Sequence, residues 1–274
     1  MMPFRFEIPT ENPTLWRWGA VYFALMVLWI AAWAAIWAMD PALDLPEGFR
    51  ALGAEALRDL CLAAADDAGI LGLWVMWALM GAAMMLPTAI PALRDYQTVS
   101  SLAAAAGEEP RPQTSLLALA GGYLAVWAGF AVFAALAQSA LASAGLVDAF
   151  GRSASGLLTA ALLLLAGVWQ FAPLKEACLS RCQSPLNGFI ASWKPGPLPA
   201  FRTGLRLGGD CLACCWALMG LAFVGGTMSM LWMAAAMVFM TLEKLPEIGR
   251  PLTRPAGAAL IAAGLFVGLR HLVT

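Results

Sequence analysis

Apolar positions in this chain run in long blocks, and polar positions are confined to the short stretches between them. Blocks at residues 18–39, 69–93, 116–141, 156–173 and 257–273 each approach the ~20 residues that a helix needs to cross a bilayer. None alternates at period two, as the ~10-residue strands of a membrane barrel would. The longest block, residues 211–242, runs for 32 residues without a charge and has Gly225 and Gly226 at its middle. One helix of that length would measure about 48 Å, against a hydrocarbon core of about 30 Å. Two shorter helices meeting at the glycines fit better, with the first starting upstream of Cys211, near Gly204. The pattern therefore predicts an all-α, polytopic transmembrane helical bundle of about seven spans, with six as the alternative if the long block is one helix. Residues 1–274 read as a single integral membrane domain.

The stretches between blocks have their own character. Residues 1–17 suit an interfacial tail, and Trp16, Trp18, Trp29, Trp33 and Trp37 suit interface anchors of a retained first helix. Phe49, Leu52, Ala56 and Leu60 recur at helical spacing, which predicts a helix lying on the membrane surface over residues 40–68. Span two is expected to end at Pro87 and Pro91, residues 94–114 to form a flexible loop, and residues 145–155 a short turn. The Pro- and Gly-rich stretch after residue 173 is expected to be largely irregular.

Composition supports the membrane reading: 61% hydrophobic and 12% charged residues, with a mean hydropathy of +0.76. Soluble domains carry about twice that charge. A formal net charge of −1 leaves no nucleic-acid footprint. The bases then orient the bundle. With an inner N-terminus and seven spans, 12 of the 16 Lys and Arg fall on the cytoplasmic side, against 10 for six spans. The expected location is the bacterial inner (cytoplasmic) membrane, with a cytoplasmic N-terminus.

Sulfur is the candidate chemistry. Cys211, Cys215 and Met219 share one helical face, with Cys214 on its flank. Met230, Met233, Met237 and Met240 form a stripe on one predicted span, and Met76, Met80 and Met84 another on a second. Cys178 and Cys182 are also one turn apart, and all five of these cysteines fall at the cytoplasmic end, where thiols stay reduced. Soft thioether and thiolate donors suit copper(I), and four thiolates would suit zinc less specifically. The expectation is that the two cysteine groups lie close together. Methionine is also a common core filler, so the stripes have a plain packing reading too. The single histidine, His271, excludes an in-chain bis-histidine haem. Glu243 and Lys244 read as helix cap and anchor, and Asp210 as a neighbour of the cysteine face. No nucleophile–base pair or phosphate loop is visible, so no enzyme activity is expected.

Three segments carry a resemblance: WVMWALMGAAMMLP from residue 74, PLKEACLSRCQSP from 173, and CLACCWALMGLAFVGGTMSMLWM…LEKLP from 211. They resemble a bacterial family of uncharacterised integral membrane proteins described as predicted metal-binding. The resemblance implies metal ligands at Cys178, Cys182, Cys211, Cys214 and Cys215. Members of that family often carry a histidine just before the third motif, and residues 204–209 here contain none. Two functions are thus expected in competition. One is a soft-metal membrane protein that moves or delivers copper(I), with the lipid bilayer, a metal chaperone or other membrane-complex subunits as partners. The other is a metal-free accessory subunit of a larger membrane complex.

Overall fold

The computed structural model describes residues 69–273 except 149, 228, 246 and 247. The predicted first span and surface helix lie outside these residues. Among the described residues the chain is helical throughout, with one isolated antiparallel bridge between Val147 and Ser153 in the turn that was expected there. The helices are α1 (Gly69–Ala105), α2 (Pro112–Ser143), α3 (Gly156–Trp169), α4 (Pro173–Gln183), α5 (Pro185–Ala191), α6 (Pro197–Gly220), α7 (Ala222–Gly225), α8 (Met230–Glu243) and α9 (Gly249–Val273).

Among the described residues four segments are long and apolar enough to cross a membrane: Gly69–Ala105, Pro112–Ser143, Pro197–Gly225 and Pro251–Val273. A fifth arises if α3 and α4, bent by 64° where they meet, count as one broken span. The apolar helix Leu231–Glu243 is shorter. The long block is broken as its glycines suggested. α6 stops at Gly220, α7 adds a single turn, and Gly226 takes φ 98°, a left-handed conformation natural to glycine. That break divides the block into a helix long enough to span and a second, shorter apolar helix.

Three boundaries differ from expectation. α1 runs through Pro87 and Pro91 to Ala105, so most of the expected loop after residue 93 is helix. Proline is tolerated inside a membrane helix when neighbouring groups satisfy the local backbone. Beside these prolines the Thr88 and Tyr123 hydroxyls both donate to the Met85 carbonyl, at 2.8 and 3.0 Å, and the Tyr123 bond ties α1 to α2. The supposedly irregular basic stretch contains α4, α5 and the start of α6. Its prolines begin those helices, where the missing N–H costs nothing. The polar link after residue 243 likewise becomes helical at Gly249.

The tightest crossing is α2 against α6. A side chain at Gly204 would run into the Leu119 carbonyl oxygen, and one at Gly122 into the Phe201 carbonyl oxygen. Small residues let membrane helices approach until their backbones touch, and this pair brings Tyr123 on α2 up to Cys211 on α6. α1 packs on the other side of α2, α9 lies along α3, and α4 folds back onto α6. One continuous core joins Met76, Trp77, Met80, Met84, Tyr123, Trp127, Cys211, Cys215, Met219 and Met240. A smaller cluster around Tyr96, Leu119 and Phe189 closes the end where α5 lies.

Candidate metal centre

The cysteine region is assembled by three elements. α6 supplies Cys211, Cys214 and Cys215, all less than 4% exposed. Each of the last two thiols donates to the Cys211 carbonyl one turn back, at 3.0 and 2.9 Å. α4, turned by the bend before Pro173, lays Cys178 and Cys182 against α6. Cys182 is half-buried against the core that holds Cys211, Cys214 and Cys215. Cys178 is buried in the same core, and the neighbouring Asp210 carboxylate pairs with Arg181. The two cysteine groups, expected to be neighbours from their positions at helix ends, therefore share one core.

The third element is the end of α8. Lys175 and Glu243 form a buried bidentate ion pair at 2.9 and 3.0 Å, with side chains 1% and 3% exposed. Gln183 donates to the Glu243 carbonyl at 2.9 Å. These bonds clamp α8 to α4 and aim the next residue, Lys244, into the thiols. Its ammonium donates to Cys211 Sγ at 2.9 Å and to Thr88 Oγ1 at 2.7 Å. Tyr123 Oη lies 3.1 Å from the same sulfur. Burial opposes the charge on Lys244, yet the neighbouring Cys211 and Tyr123 more than offset it and hold its pKa well above the ordinary lysine value.

Lys244 is the C-cap of α8 and Glu243 anchors that helix to α4, as expected, but the reach of Lys244 to Cys211, and the parts of Tyr123 and Thr88, went unforeseen in the sequence. A signal for Lys244 existed: an acid–base pair directly closing a 32-residue uncharged run. Tyr123 offered only a polar residue within an apolar block.

The methionines divide. Met76, Met80, Met84, Met219, Met233 and Met240 are buried in the core that also holds the cysteines, and Met237 is half-buried against it. The side chain of Met230 lies outside the described residues. His271 sits at the opposite end of the bundle, against Gly156.

The donor set is soft throughout, which matches copper(I) better than hard oxygen-seeking cations. Its thiols are gathered in one core. Among the described residues no three His, Cys, Asp or Glu side chains converge as a ready-made metal shell. Two thiolates suffice for a low-coordinate copper(I) ion, whereas structural zinc sites use about four ligands in a tetrahedron.

A family model described as copper chaperone (PpoB2) matches residues 74–267, from early α1 to near the end of α9. The chain belongs to that copper chaperone family, which gives the thiol-rich region a copper-related context. No curated protein and no solved structure matches it.

Proposed function

We propose that this protein is a multi-pass carrier of the bacterial inner membrane that binds copper(I) as cargo and moves or delivers it. The thiols of Cys182, Cys211, Cys214 and Cys215 take the ion, with Cys178 alongside. Met76, Met80, Met84, Met219, Met230, Met233 and Met237 provide weaker thioether stations through the membrane. The observation that carries this reading is the burial of Cys178 and the packing of Cys182 on α4 into the core that holds Cys211, Cys214 and Cys215 on α6. It brings thiols from α4 and α6 together across about thirty residues of chain, which no local packing rule requires. Zinc is the less suited ion, because it would need further ligands drawn inward. The protein acts as a binding and transfer protein and performs no bond-making chemistry on a substrate.

The remaining topology follows the same proposal. The apolar block at residues 18–39 and the short helix α8 complete seven spans, with the N-terminus and the cysteine end in the cytoplasm. Cargo would pass between the protein and a soluble metal chaperone or another subunit of a membrane complex at that end.

Titration of the purified, reduced protein with copper(I) tests the function. About one equivalent is expected, and it should be lost in the C211S/C215S double variant. Absence of copper from reduced, copper-supplemented preparations overturns it. One observation favours a second reading, a metal-free accessory subunit: the lack of a convergent three-donor shell among the described residues. Under that reading the double serine variant behaves like the parent in every metal assay, and its effect appears only in assembly with partner proteins.

A further inference from the structure

At the end of the bundle where the basic stretch lies, α4, α5 and the first half of α6 enclose a cleft of about 340 Å³ that no cysteine lines. That volume falls within the range of small-molecule sites. Pro185 and Phe189 on α5 and Leu207 on α6 give it an apolar wall. Its charge comes from α6. Arg206 and Asp210 lie one turn apart on that helix, where opposite charges ordinarily pair. Asp210 pairs instead with Arg181 on α4, and Arg206 has no hydrogen-bond or ion-pair partner among the described residues. Two guanidiniums against one carboxylate leave the cleft net positive.

The hydroxyls of the cleft offer the complementary chemistry. Ser180, Ser192 and Thr203 each donate their proton to a backbone carbonyl three or four residues back, at 2.9, 2.7 and 3.0 Å. They therefore meet a ligand as acceptors. The cleft thus presents a cation to an anion and lone pairs to a ligand's own O–H groups. Its depth is set by the sequence. Arg206 stands five residues before Cys211, where the 32-residue uncharged run begins. At 1.5 Å per residue that is about 7–8 Å outside the apolar run, the level of the headgroups between a core of about 30 Å and a full bilayer of about 40–45 Å. On α5, Leu186 and Ile190 do not line the cleft and are exposed, as suits a short helix seated in that layer.

We propose that this cleft binds a phosphate group bearing free hydroxyls, supplied at this depth by the headgroup of an anionic glycerol phospholipid such as phosphatidylglycerol. Arg206 takes the phosphate through charge-assisted bonds, for which a guanidinium is well shaped. The oxygens of Ser180, Ser192 and Thr203 accept from the glycerol hydroxyls. Basic pockets between helices on the cytoplasmic side are a recurrent way of holding such headgroups. A choline headgroup has no O–H to give and would set its own cation against two guanidiniums. The proposal needs the bundle to span a membrane and is independent of the copper reading.

Native mass spectrometry of the full-length chain, delipidated in detergent, tests it with phosphatidylglycerol, phosphatidic acid, phosphatidylcholine and soluble glycerol 3-phosphate. Phosphatidylglycerol should bind roughly tenfold or more tightly than phosphatidylcholine, and R206Q should remove most of that margin. Arg202 is exposed one turn earlier on α6 and does not line the cleft, so R202Q should bind as the parent does. The S192A/T203V double variant should weaken phosphatidylglycerol more than phosphatidic acid, whose phosphate carries no glycerol headgroup. Parental binding by a monodisperse R206Q overturns the site. Equal losses in R202Q and R206Q do so as well, because the attraction would then belong to the basic surface at large. Equal weakening of the two anionic lipids in S192A/T203V overturns the part given to the hydroxyls. Binding of glycerol 3-phosphate through Arg206, with no binding of the lipids, overturns the lipid source and assigns the cleft to a soluble phosphate ester.

Discussion

Lys175 and Glu243 stand 68 residues apart and are almost completely buried against each other. Such a pair contributes little net stability compared with an apolar pair of equal size, because both ions lose their water. Removing one partner is different, since the other is left charged and alone. K175M should therefore cost about 3–5 kcal/mol, read as a lowered thermal midpoint of the detergent-solubilised protein. K175M/E243M should recover most of that loss. Failure of the double variant to recover would show that the pair stabilises by more than mutual neutralisation. This pair also marks what the chain alone conceals. The cysteine faces follow from i, i+4 spacing and were legible, and so was the chemistry of soft donors. The destinations of Glu243 and Lys244 were not, because helix spacing says which residues share a face and nothing about which helix that face meets. Tyr123 was hidden for the same reason: its relation to Cys211 exists only through the α2–α6 crossing.

At the scale of elements, apolar blocks located the helices well and their ends poorly. Hydropathy detects the part of a helix that lipid requires, and a helix may continue into water once capped or packed. α1 continues past its prolines to Ala105, and α6 begins at Pro197, well before its first cysteine. The Pro- and Gly-rich composition before α6 suggested irregular chain, yet Pro173, Pro185 and Pro197 each open a helix there. Glycine carried the better information. Gly225–Gly226 did mark the break in the long apolar block, and Gly204 marks the contact on which the site depends. G204L would place a branched side chain against the Leu119 carbonyl and force α2 from α6. The expected cost is about 1–3 kcal/mol or more, with a larger effect on copper binding than the same change at Gly209, whose added side chain would meet nothing. Comparing thermal midpoint and copper stoichiometry for G204L and G209L checks this. Equal behaviour of the two would mean that the crossing does not control the spacing of Tyr123 and Cys211.

At the scale of the molecule, the helices place their charges at one end. The loop between α1 and α2 is tied to the start of α6 by Glu109, which accepts from Gly196 N at 2.7 Å. The end of α8 is tied to α4 by Lys175, and the start of α9 packs beside Gln170. Those contacts define one face of the bundle. The turn after α2 bonds to α7, and His271 meets Gly156, which define the other. Among the described residues, ten of the twelve Lys and Arg belong to the first face, and Arg152 and Arg270 to the second. The bias that ordered the chain in sequence is thus carried by the assembled bundle. Positive charge is retained on the cytoplasmic side during insertion, so the cysteine face is expected to be cytoplasmic. Single cysteines introduced near residue 250 and at residue 274, in a background lacking the native cysteines, would be tested with a membrane-impermeant thiol reagent on intact cells. R250C should stay unlabelled until the membrane is opened, and T274C should label from outside. Labelling of R250C in intact cells would place the thiol cluster on the outer side. Copper would then have to be exchanged with partners beyond the membrane, and the reducing environment assumed for the thiols would be lost.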